Sequence, residues 1–142
     1  MRGFSINTKK RMERLLQLLD KLATESAKGI PIIVEGQNDV DALRELGVGG
    51  EVICAKTSGK GFLDVLSEVE KRGKREVIIL MDFDRRGKEW TKRLAQHLEK
   101  MRIKPRLLFW SDLLNLVGRD VKDVEGLATY LETLRKKCGS KV

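Results

Sequence analysis

The segment Glu76-Val77-Ile78-Ile79-Leu80-Met81 constrains the fold of this chain more than any other. After its first residue it is continuously apolar and β-rich, with no polar position to turn toward water. A strand of that type is covered on both faces, as in a parallel sheet held between helical layers. Ile30 to Val34 and Glu51 to Cys54 are shorter runs of the same kind, and Arg106 to Trp110 reads as a fourth strand. Helical stretches separate them, over residues 38–46, 62–72 and 86–101. Upstream, Met12, Leu15, Leu16, Leu19 and Leu22 recur at helical spacing within residues 8–27, before Gly29 and Pro31 end the pattern. Downstream, residues 112–117 and 124–137 read as two further helices. This alternation predicts an α/β domain with a Rossmann-like, mainly parallel sheet of about four strands flanked by helices. The expected layout is an amphipathic helix over 1–28, a core over 29–110 and a helical extension of the same domain over 111–142.

A chain of 142 residues suits one such domain. Aromatic residues make up only 5%, so the core has to be aliphatic. Cys54 and Cys138 are far apart and no CxxC pair occurs, which argues against a structural zinc site. The start, MRGFSINTKKR, lacks the apolar stretch of a signal peptide, and no run nears the roughly 20 apolar residues that span a bilayer. A cytoplasmic location without a membrane partner is expected.

The formal charge of +8 is unevenly spread. Residues 84–106 hold nine Lys or Arg against three acids, whereas residues 29–54 hold Arg44 alone against five acids. An acidic centre beside a basic flank suits a metal site that serves a polyanion.

The acidic centre has a definite pattern. Asp82 and Asp84 directly follow the most apolar strand, and in an extended chain residues i and i+2 point to one side. Glu35 follows the first strand in the same way. In a doubly wound sheet the first and third strands usually lie side by side, so the three carboxylates would share one crevice. Their mutual repulsion calls for a cation, and Mg²⁺ prefers such oxygen ligands, with Mn²⁺ as a substitute. Asp84 is also placed to cap the following helix. Gly36 and Gly87 would let a helix start close against a strand end. Asn38 is the expected cap of the helix over 38–46, with Asp41 at the capping-box position, and Asp39 suits the positive end of that helix.

Around this centre lie candidate phosphate contacts. The loop Ala55-Lys56-Thr57-Ser58-Gly59-Lys60-Gly61 is not a Walker A motif, because Cys54 and Gly61 stand where Gly and Ser or Thr are needed. It still follows a strand at the same sheet edge, so Lys56, Ser58, Lys60 and its backbone N–H groups are candidate phosphate ligands. Arg85, Arg86, Lys88 and Lys92 continue the basic surface along the next helix, Lys88 sharing a face with Lys92 and with Arg85. His97 and Tyr130 read as structural.

Two of these segments carry a family resemblance. Ile32-Ile33-Val34-Glu35-Gly36-Gln37-Asn38-Asp39 looks like the first Toprim motif, an apolar strand followed by EGxxD. Ile78-Ile79-Leu80-Met81-Asp82-Phe83-Asp84-Arg85-Arg86-Gly87 resembles the second, an apolar strand followed by DxDxxG. The resemblance covers about residues 29–110. The family includes bacterial-type primases, type IA and type II topoisomerases, recombination-mediator proteins, the 5S rRNA maturase and overcoming-lysogenization nucleases. It implies a Toprim fold with Glu35 as acid/base residue, Asp82 and Asp84 as Mg²⁺ ligands and Asp39 in support. Residues 119–125 are more loosely similar to the KDPDD-like segment of primases, with Asp123 either a distant metal contact or, as favoured, the cap of the last helix. Topoisomerases use a tyrosine nucleophile from another domain, a role Tyr130 does not fit.

Two functions follow from the resemblance. One is a Mg²⁺-dependent enzyme that cleaves RNA or DNA or transfers nucleotides as primases do. The other is a non-catalytic Toprim module that binds RNA or DNA within a larger complex and has a protein partner there. The single-domain layout leans toward the maturase or a small stand-alone Toprim protein.

Overall fold

In the computed structural model residues 2–57 and 59–139 are described, residues 2–6 by their backbone alone. The elements run α1 (Arg2–Ala27), β1 (Ile32–Val34), α2 (Gln37–Glu45), β2 (Val52–Cys54), α3 (Phe62–Lys71) and β3 (Glu76–Ile79). They continue as α4 (Arg85–Lys100), β4 (Lys104–Arg106), α5 (Leu108–Val117) and α6 (Val124–Lys137). The four strands pair in parallel in the order β2-β1-β3-β4. The chain thus leaves β1 in one direction and β3 in the other, and the order reverses between these two central strands.

The pleat explains why both faces are apolar. Ile32, Val34, Ile78 and Leu80 enter one core with Leu15, Leu18, Leu19 and Leu22 of α1, Leu43 of α2, Leu113 of α5 and Leu131 of α6. Ile33, Val77, Ile79 and Met81, one residue out of phase, enter a second core with Val65 of α3 and Leu94 and Leu98 of α4. The expected α/β domain is the observed one. The N-terminal helix packs on the sheet rather than extending from it.

Three boundaries differ from expectation. The last strand is not Arg106 to Trp110 but Lys104–Arg106, and the next helix already begins at Leu108. Phe109, Leu113 and Val117 are buried at a spacing of four, which is helical, and their spacing outweighs the local β propensity. Pro105 is tolerated in β4 because that strand is at the sheet edge. Second, the cap of α2 lies two residues early. Gly36 is its N-cap and Asp39, not Asp41, accepts from the Gly36 N–H at 3.0 Å. Third, α1 begins at Arg2 rather than near residue 8.

Candidate nucleic-acid and metal site

β1 and β3 pair with Ile32 beside Ile78 and Ile33 beside Ile79. The register continues past the ladder, since the Leu80 N–H donates to the Ile33 carbonyl at 2.8 Å. Glu35 and Asp82 therefore emerge together at the carboxyl ends of the central strands. The Asp82 N–H donates to Glu35 Oε2 at 3.2 Å. On the other flank the Lys56 N–H donates to the Glu35 carbonyl at 2.8 Å, and Lys56 Nζ pairs with Glu35 Oε1 at 2.6 Å. These groups line an open cleft of about 360 Å³ that also takes in Asp39, Asp123 and Glu125.

The electrostatics of the cleft are those of a surplus of carboxylates. Burial, then the hydrogen bond to Glu35 and the charges of Glu35, Asp39 and Asp123, push the Asp82 carboxyl up to about 8. Burial pushes Glu35 up as well, but the hydrogen bond with Asp82 and the Lys56 ammonium outweigh it and hold Glu35 below its ordinary value. Repulsion between the two carboxylates thus favours one proton shared by the pair. Among the described residues lining the cleft, Lys56 is the only cation. Buried hard oxygen donors with too little counter-charge fit a divalent cation chemically.

Asp84 lies apart from this pair. The chain bends at residues 83–84, so the two-residue alternation of a strand no longer applies. Asp84 is exposed and caps α4, its Oδ1 accepting from the Gly87 N–H at 2.8 Å. The expected convergence of three carboxylates is therefore seen for two of them. Among the described residues no three His, Cys, Asp or Glu side chains are grouped to hold an ion. Gly87 has a steric role: a Cβ there would collide with the Asp82 carbonyl oxygen, so only glycine lets α4 begin this close to the strand end. At Gly36 a Cβ would meet only Asp39 Oδ2, at 4.0 Å.

Asp39 is more deeply engaged than a helix-end acid. Its Oδ2 accepts from Gly36, and its Oδ1 accepts from the Glu125 N–H at 2.9 Å. One buried carboxylate thus ties the starts of α2 and α6. Burial raises its pKa against the lowering effect of those two bonds. Asp123 caps α6, accepting from the Gly126 N–H at 2.8 Å, as favoured from sequence.

Of the candidate phosphate ligands, Lys56 is at the cleft, whereas Lys60 is turned away. Lys60 Nζ donates to the Cys54 carbonyl at 2.7 Å and pairs with Glu68 at 2.5 Å. Ser58 lies outside the described residues. Arg85, Arg86, Lys88 and Lys92 are exposed on the first two turns of α4. Arg85 makes only a 4.0 Å contact with Glu89, its side chain 96% exposed. His97 Nδ1 bonds the Arg93 carbonyl within α4, and the Tyr130 hydroxyl bonds Asp120 and Arg11, away from the carboxylate pair.

Sequence reasoning missed Trp110. Its indole N–H donates to the Met81 carbonyl at 2.9 Å and so fixes the chain end that presents Asp82. A half-buried indole needs an acceptor, and that requirement was the available signal.

Comparison with known proteins agrees with this geometry. The Toprim domain model matches residues 30–109. The UPF0292 protein of Methanosarcina acetivorans is 37% identical over 131 residues, covering 92% of this chain and 89% of its own length. That of Methanocaldococcus jannaschii is 38% identical over 120 residues, covering 84% and 91%. A solved structure of a protein from Aquifex aeolicus is similar with a TM-score of 0.65 and 27% identity, over 78% of this chain and 95% of that one. The chain belongs to the Toprim family, within the group that includes these UPF0292 proteins.

Proposed function

We propose that this protein is a Mg²⁺-dependent enzyme of phosphodiester chemistry, cleaving RNA or DNA or transferring nucleotides. Membership of the Toprim family supports a nucleic-acid-processing role and a divalent cation in general terms. The observation that carries the finer reading lies at the junction of β3 and α4. There a cation-poor carboxylate pair adjoins a helix whose first turn contains two arginines and no acid. The start of a helix is its positive end, so Arg85 and Arg86 oppose the macrodipole and cost stability, about 0.3–1 kcal/mol each. An anion bound there offsets that cost, and a phosphate backbone supplies one.

Asp82 is the primary candidate to hold the cation, with Glu35 beside it. Bound Mg²⁺ would polarise a phosphate oxygen and offset charge developing on it. Glu35, kept ionised by Lys56 and Asp82, is a proton acceptor at the cleft wall. Lys56 can move from Glu35 to an incoming phosphate because its side chain is 40% exposed. Arg85, Arg86, Lys88 and Lys92 hold the flanking phosphates. Action in the cytoplasm with a protein partner belongs to this proposal. Among the described residues no helix is long and apolar enough to cross a membrane.

A second reading, a module that binds nucleic acid without turnover, draws on the commitment of Asp84 to helix capping. One experiment separates the two. Labelled structured RNA and primer–template are incubated with protein, Mg²⁺ and nucleotides, alongside Glu35→Gln and Asp82→Asn. Cleavage or synthesis by wild type, lost in both variants, is expected. No product with any protein, together with equal binding by all three, would leave the binding module.

A further inference from the structure

The basic helix has a second feature that phosphate binding leaves unused. Arg86, Trp90, Arg93 and His97 recur along α4 at spacings of three or four, so they share one face. That face meets Phe62, the first residue of α3. The Phe62 and Trp90 rings meet edge to face with centroids 5.6 Å apart. The His97 ring is 5.0 Å from Phe62 in a similar arrangement, and the Arg93 guanidinium lies 4.2 Å from the Phe62 centroid.

This cluster rests on the second core and reaches the surface, with the exposed Arg93 guanidinium over the Phe62 ring. Phe62 and Trp90 pack on the second core yet are only half-buried, and Arg93 is exposed. Leu63 beside them is 73% exposed. The chain has only seven aromatic residues apart from His, and two of them stand here at the surface among cations. Core packing alone does not explain that placement. Exposed aromatic rings and guanidinium planes interleaved with positive charge are what single-stranded nucleic acid stacks upon. Trp90 is six residues beyond Asp84, roughly 9 Å along the axis at 1.5 Å per residue. A strand with a phosphate at the start of α4 thus reaches the rings within a few nucleotides.

We propose that Phe62, Trp90 and Arg93 form a stacking platform for unpaired bases, so that the strand served by the carboxylate cleft is single-stranded where it crosses α4. The proposal rests on the nucleic-acid reading above and specifies its substrate class. A duplex keeps its base faces stacked on one another and can offer this surface only phosphates. Arg86 and Lys92 hold the backbone, and the rings hold the bases.

Equilibrium binding in EDTA tests it with three oligonucleotides of equal length: a single strand, a duplex, and a single strand without bases whose phosphate count equals that of the first. Wild type is expected to bind the base-bearing strand about ten-fold or more tightly than the abasic one, the size of one base stack. Trp90→Leu is expected to lose that difference while its duplex binding stays within about two-fold, which also shows that the variant is folded. Equal wild-type affinity for base-bearing and abasic strands would overturn the platform and leave the phosphate-binding face intact. So would a Trp90→Leu variant that keeps the preference for base-bearing strands. Failure of wild type to bind any of the three would overturn the nucleic-acid reading and the platform with it.

Discussion

At the end of β3 the Asp82 carboxyl is raised to about 8, chiefly by burial and then by its hydrogen bond to Glu35. A raised carboxyl pKa stabilises the fold where the group stays protonated. The contribution is complete below the ordinary value of 3.8 and is lost as pH rises through about 8. Glu35 is shifted the other way, so its contribution falls away only in acid, outside this window. In EDTA, Tm is therefore expected to fall between pH 5 and pH 8.5. Added Mg²⁺ should restore it, more strongly at the higher pH, because the cation needs the deprotonated carboxylate. Asp82→Asn should remove most of the fall, Asp39 keeping a smaller share of it, and should abolish the restoration; calorimetry with and without Mg²⁺ reads each. A wild-type Tm that is flat with pH would refute the shared proton. Gly87 is the second residue whose replacement is informative. Gly87→Ala forces a methyl against the Asp82 carbonyl and is expected to cost about 1–3 kcal/mol in urea unfolding, with weaker Mg²⁺ binding. Glu35, Asp82 and Gly87 were all legible in sequence, because each is fixed by its distance from the end of an apolar strand. The direction of Asp84 was not, because the bend at residues 83–84 removes the periodicity on which that inference depended.

Among the elements, α4 is arranged against its own stability. Two arginines occupy its positive end, and Asp84 at the N-cap is the nearest compensation. Arg85→Glu should raise unfolding stability by about 0.3–1 kcal/mol while weakening nucleic-acid binding and flattening its salt dependence. Urea denaturation and binding at two salt concentrations give the two results. If stability fell, the conflict with the dipole would be absent. The apolar runs of β1 to β3 located those strands closely, whereas the periodicity of α1 marked its end but not its start. The β4–α5 boundary was misplaced because Arg106 to Trp110 is apolar and aromatic enough for either structure. The choice went to helix when Phe109, Leu113 and Val117 found a core to enter.

Across the whole molecule, the hydrophobic core extends beyond the region matched by the Toprim model. The core on one sheet face draws Leu15, Leu18, Leu19 and Leu22 from α1, and Val124, Leu127, Leu131 and Leu134 from α6. At about 1.5–3 kcal/mol for each buried aliphatic side chain, their loss is as large as or larger than the roughly 5–15 kcal/mol that a whole domain holds in reserve. A chain cut to residues 29–110 is expected to be unfolded by circular dichroism, whereas removal of residues 140–142 should leave Tm within a degree or two. A cooperative thermal transition in the shorter chain would contradict this. Local pattern alone determined the strand ends, the helices between them and the acids beside those ends, since pleat and helical period are properties of neighbouring residues. Tertiary structure decided which carboxylates meet. Glu35 and Asp82 are 47 residues apart, and Asp39 reaches Glu125 across 86. Those contacts depend on strand order and on where α6 docks, and such long-range packing leaves no mark in the local order of residues.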